Sequence, residues 1–109
     1  MGDNKAAPVT VRLTESRLRN EKNDAVGAQI SKHLDAGEVN VILDFSAVEF
    51  VDSSFLGMLV VALKRATALE GDIVLCCLQA PVKTIFNLMR LHRIFGIYDT
   101  VDEAAAAFN

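Results

Sequence analysis

Two short and almost wholly apolar runs constrain this chain more than any other feature. Val41-Ile42-Leu43 and Ile73-Val74-Leu75-Cys76-Cys77-Leu78 each lie between turn residues, and neither alternates apolar with polar. A strand with one wet face alternates, because successive side chains point to opposite faces. A run that is apolar at every position suits a strand covered on both faces, as in the parallel sheet of an α/β domain. Residues 39–45 and 73–78 are therefore expected as central strands.

The intervening segments carry helical spacing. Asn23 or Asp24 is a candidate cap for a helix through Val26, Ile30 and Leu34, with His33 or Leu34 completing its inner face and Gly37 ending it. A second helix is expected over 53–69, closed by Glu70-Gly71-Asp72, with Lys64 and Arg65 suited to the negative end of its dipole. Its first three turns, with Phe55, Leu56, Leu59, Val60 and Leu63, leave little polar surface. Pro81 fits the first turn of a third helix over 81–91, with Val82, Ile85, Phe86 and Met89 facing inward. The alanine-rich segment 102–108 reads as the last helix. Residues 9–13 alternate as a half-buried strand, Leu18 belongs to a very short second one, and Ile97-Tyr98 forms another. Regular alternation of strands and helices implies parallel neighbours joined by right-handed crossovers.

Composition narrows the function class. The chain has 109 residues, enough for one domain with a single core. Apolar residues make up 51% and charged residues 23%, the balance of a globular protein. A net charge of −3 argues against a nucleic-acid surface. Arg12, Arg17, Arg19, Lys22 and Lys32 gather in the first third, but Glu15, Glu21 and Asp24 interrupt them into a mixed solvated face. No segment reaches the roughly 18 consecutive apolar residues that span a membrane. Residues 1–8 lack the apolar core of a signal peptide and read as a flexible lead-in, so a cytoplasmic location is expected. Cys76 and Cys77 are read as two small hydrophobes on opposite sides of a strand, since adjacent cysteines make strained disulfides and no further Cys or nearby His completes a zinc set.

The catalytic templates fail. His33 and His92 show no link to Ser53, and the serine lacks a Gly-x-Ser-x-Gly turn. There is no Gly-rich phosphate loop. Asp44, Glu49 and Asp52 are spaced for capping turns or facing solvent more than for magnesium. What remains is the junction Val48-Glu49-Phe50-Val51-Asp52-Ser53-Ser54-Phe55-Leu56-Gly57, where a strand gives way to a helix. Ser53 there either caps the helix, typically worth about 1 kcal/mol, or carries a phosphate adding roughly −1.5 to −2 charges at the helix N-terminus. Asp52 opposes added charge, so a phosphate would act chiefly on which partner can dock.

Asp52-Ser53-Ser54-Phe55-Leu56-Gly57 resembles the Asp-Ser-Ser/Thr-Gly-Leu-Gly motif of STAS domains, the anti-sigma-factor antagonist family. The similarity runs from the first strand to Phe108. Val39-Asn40-Val41-Ile42-Leu43-Asp44-Phe45-Ser46 is similar to the strand preceding the motif, and Gly71-Asp72-Ile73-Val74-Leu75 to the next turn and strand. Pro81-Val82-Lys83-Thr84-Ile85-Phe86 and Asp102-Glu103-Ala104-Ala105 match the last two helices. The resemblance implies one STAS-type domain over 9–109, an α/β fold with a mixed, mainly parallel sheet of about four to five strands and about four helices.

The resemblance also implies a mechanism. Ser53 corresponds to the serine that an anti-sigma serine kinase phosphorylates, with Asp52 and Ser54 shaping the site. A PP2C-type phosphatase reverses the modification, and the unphosphorylated form binds the kinase and releases a sigma factor or another target. Phe55, Leu56 and Met58 are expected as exposed docking residues, with Met58 equally suited to the core. No catalysis, metal or cofactor is expected. The alternative is a STAS accessory subunit of a membrane lipid-transport or other complex, with the serine pair serving only as a cap. Three positions depart from the pattern: Phe55 replaces a glycine, Arg19 stands where an acidic residue is common, and Arg90 replaces a glycine after the third helix. Arg19 is accordingly a candidate partner for a phosphate.

Overall fold

A computed structural model describes residues 7–19 and 21–108. Most of the expected lead-in at 1–8 thus lies outside the described residues. The chain runs β1 (Val9–Arg12), β2 (Arg17–Leu18), α1 (Glu21–Asp35), β3 (Asn40–Asp44), β4 (Phe50–Val51), α2 (Ser53–Ala68) and β5 (Asp72–Cys76). Then follow α3 (Ala80–Leu88), a 3₁₀ turn (Leu91–Arg93), β6 (Ile97–Tyr98) and α4 (Val101–Ala106). The strands form a four-stranded sheet in the order β1-β3-β5-β6 and a separate two-stranded ribbon, β2-β4. The expected mainly parallel α/β fold is present, and every ladder in both sheets is parallel.

The central strands are covered on both faces, as their apolar runs require. Val41 and Leu43 of β3, with Ile73 and Leu75 of β5, enter the larger core beneath α1, α2 and α3. Ile42, Val74 and Cys76 point the other way and meet Ala104 of α4. Phe55, Phe45, Phe86 and Phe95 cross the larger core as successive edge-to-face pairs, with ring centroids 6.0, 6.0 and 6.4 Å apart. Such aromatic pairs add stabilisation beyond their buried area.

Helix ends differ from expectation in instructive ways. α1 begins at Glu21, before the proposed caps, and Asn23 is instead buried within its first turn. α2 ends in a reciprocal pair of turns in which Glu70 N–H donates to the Thr67 carbonyl and Gly71 N–H to that of Ala66. Glu70, at φ 65°, takes the left-handed position usually given to glycine. Gly71 is required for a different reason: a Cβ there would sit 2.1 Å from the Val39 carbonyl oxygen. α3 stops at Leu88, and Arg90 turns the chain with φ 59°. Met89, expected on the inner face, is therefore carried outward and is 57% exposed.

Candidate functional site

The β2-β4 ribbon builds the site. Its register pairs Arg17 with Phe50 and Leu18 with Val51. Asp52 N–H then donates to the Leu18 carbonyl at 3.2 Å, which holds the residue after β4 beside the end of β2. The next residue on the β2 side is Arg19. Arg17 is fixed a little further back, its guanidinium 4.7 Å from the centre of the Phe50 ring. Lys22 is paired with Glu15 at 2.7 Å. Arg19 is exposed and makes no ion pair among the described residues. Ser16, Arg17, Arg19, Glu21 and Lys22 line a shallow groove here.

Asp52, not Ser53, caps α2. Its backbone is extended, with φ −103° and ψ 175°, and its Oδ1 accepts the Phe55 N–H at 2.8 Å. The same oxygen accepts from Asn23 Nδ2 at 2.9 Å, which ties the start of α2 to the start of α1. Asn23 is 3% exposed, and its Oδ1 has no hydrogen-bond partner among the described residues. Ser53 and Ser54 are consequently the first two residues inside the helix, both exposed. Backbone N–H groups at these positions have no acceptor within their own helix. The positive end of the helix dipole also lies here.

Phe55 and Leu56 are not surface residues, which corrects their expected role in docking. Phe55 is 0% exposed and packs edge-to-face on Phe45, while Leu56 is 5% exposed. The third residue of the helix points at the sheet once Asp52 is the cap, so its ring faces away from the serines. Met58 is half-buried, and its side chain lies against Gly27 of α1, where a Cβ would come within 3.3 Å of Met58 Cγ. The outward face of α2 belongs instead to Ser53, Ser54, Gly57 and Val61, the last 66% exposed. A Cβ at Gly57 would meet nothing within 4 Å. Helical spacing from Ser53 to Gly57 to Val61 is the signal in the sequence that could have identified this face.

The expected turn-capping by Asp44 and Asp52 is present: Asp44 Oδ1 accepts the Ser46 N–H at 2.9 Å. The cysteines depart from expectation. Cys77 has φ 63°, so the alternation of a regular strand fails at the end of β5. Both sulfurs and the Asp44 carboxylate converge, with one ligand atom from each residue within 4.8 Å of the others. Burial first, then a hydrogen bond with Cys77 and the nearby Cys77 and Asp44 charges, pushes the Cys76 thiol up to about 12. Among the described residues no helix is long and apolar enough to cross a membrane.

Comparison with known proteins places this arrangement. The family model described as STAS domain matches residues 9–104. BtrV of Bordetella bronchiseptica, named as a candidate anti-sigma factor antagonist, is 30% identical over 81 residues, covering 74% of this chain and 70% of its own. A Thermotoga maritima protein named in the same way is 37% identical over 71 residues, or 65% of this chain and 63% of the relative. A crystal structure of a candidate anti-sigma factor antagonist from Thermotoga maritima superposes with a TM-score of 0.82 at 30% identity, covering 91% of this chain and 86% of that one. The Bacillus cell-fate determinant SpoIIAA in its phosphorylated form shares the fold at a TM-score of 0.72 and 21% identity, over 99% and 96% of the two chains.

Proposed function

The chain belongs to the STAS domain family, and from that premise we propose a partner-switching regulator of the anti-sigma-factor antagonist kind. In this reading it docks an anti-sigma serine kinase while Ser53 is unmodified. Phosphorylation of Ser53 releases it, and a PP2C-type phosphatase restores the docking form. The chain performs no catalysis itself and works where those partners are, in the cytoplasm.

One observation carries the reading. Asp52 supplies the cap, so the exposed Ser53 hydroxyl is left without a structural task at the end of the helix that favours negative charge. A phosphate there would add roughly −1.5 to −2 charges beside the Asp52 carboxylate. That charge would alter the Ser53–Gly57–Val61 face, whose own three residues are uncharged. The docking surface is assigned to this face, with Ser54 and Asp52 bounding the acceptor. Arg19, which follows β2 and makes no ion pair among the described residues, is a cation available to a phosphate on Ser53.

Incubation with the cognate anti-sigma serine kinase and ATP is expected to add one phosphate per chain. Ser53→Ala should abolish incorporation and Ser54→Ala should retain it. Ser53→Asp should weaken kinase binding by about tenfold or more, equivalent to about 1.4 kcal/mol. Phosphate still entering Ser53→Ala, or unchanged kinase affinity in Ser53→Asp, would contradict the switch. An accessory subunit with inert serines would take up no phosphate and would co-purify with its complex regardless of Ser53→Asp.

A further inference from the structure

We infer that Asp44, Cys76 and Cys77 form a binding site for a thiophilic divalent cation, with Zn²⁺ as the physiological occupant. The site lies at the carboxyl ends of β3 and β5. Asp44 and Cys76 are register partners in adjacent parallel strands, so their side chains emerge on the same face of the sheet, the face covered by α4. A residue after Cys76 in a regular strand would point to the other face. The left-handed backbone at Cys77, φ 63°, instead brings the second sulfur to the first. Non-glycine residues keep that conformation only when the surrounding structure over-determines it.

The donor set defines the ligand chemistry. Two sulfurs and one carboxylate oxygen, all within 4.8 Å, need only a small contraction to surround one ion. Tetrahedral zinc holds sulfur at about 2.3 Å and carboxylate oxygen at about 2.0–2.2 Å, and a three-ligand site keeps a fourth position for water. Calcium and magnesium prefer all-oxygen shells and are disfavoured by the thiolates. The Ser46 N–H on Asp44 Oδ1, at 2.9 Å, orients the carboxylate from behind, as outer partners do in metal centres. Cys76 is fully buried while Cys77 is partly exposed, so an ion can enter past Cys77. Both cysteines are free thiols.

The test uses the full chain, untagged, reduced and stripped with chelator. Titration with Zn²⁺ against a chromophoric chelator should give one ion per chain. Co²⁺ should produce sulfur-to-metal charge-transfer absorption and the strong visible bands of tetrahedral coordination. Cys77→Ser and Asp44→Asn, at positions that are not fully buried, should each lower affinity by about 100-fold or more, beyond the loss caused by removing an outer-shell partner. His92→Ala should bind as the parent does. Absence of the charge-transfer absorption, or unchanged affinity in Cys77→Ser, would overturn the site.

Discussion

Asp52 and Ser53 are adjacent, both are favoured helix caps, and only the position of the preceding strand decides between them. Because β4 ends at Val51, Asp52 takes the extended cap conformation and Ser53 becomes the first helical residue. The two side chains should therefore respond oppositely to truncation. Asp52→Ala removes a cap and leaves Asn23 Nδ2 without this acceptor, and is expected to cost about 1–2 kcal/mol. Ser53→Ala removes nothing structural and should stay within about 0.5 kcal/mol of the parent. Urea denaturation at unchanged m-value measures both. A Ser53→Ala loss as large as that of Asp52→Ala would return the capping role to the serine. The sequence located this junction but could not rank its two caps, since both residue types accept the same backbone hydrogen bonds.

At the scale of elements, the helices, the long strands and the short strands at Leu18 and Ile97-Tyr98 were legible, and β4 was not. α2 announces itself by apolar periodicity sustained over sixteen residues. Its outward face was misjudged because an almost wholly apolar helix does not say which side meets the sheet. β4 has two residues, too few to show any period, yet its pairing with β2 is what brings Arg19 toward Asp52. The end of α3 shows a local preference overridden by the fold. Arg90 holds φ 59°, in the left-handed region that favours glycine. A left-handed residue with a Cβ costs roughly 1–2 kcal/mol, part of which glycine returns through its freer unfolded chain. Arg90→Gly is accordingly expected to stabilise the protein by about 0.5–1 kcal/mol, seen as a higher denaturation midpoint. Destabilisation would mean that the arginine side chain contributes contacts outweighing that strain.

For the molecule as a whole, Phe55 is the informative substitution. Its ring joins α2 to the aromatic series that links β3, α3 and the chain before β6. Phe55→Ala should cost about 3–5 kcal/mol, a large part of the roughly 5–15 kcal/mol typical of a domain. Calorimetric or chemical unfolding checks this, and a cost below about 1 kcal/mol would show that the site collapses around the loss. The unbroken apolar runs at 41–43 and 73–78 indicated strands covered on both faces, and their alternation with helices indicated a parallel sheet. The Asp-Ser-Ser motif likewise located the junction where α2 begins. Only the tertiary structure decided that Asp52 is the cap, that Phe55 turns inward, and that Cys77 turns back toward Cys76 and Asp44. Those outcomes depend on strand pairings between residues far apart in the chain and on one left-handed backbone angle, neither of which leaves a periodic trace in the sequence.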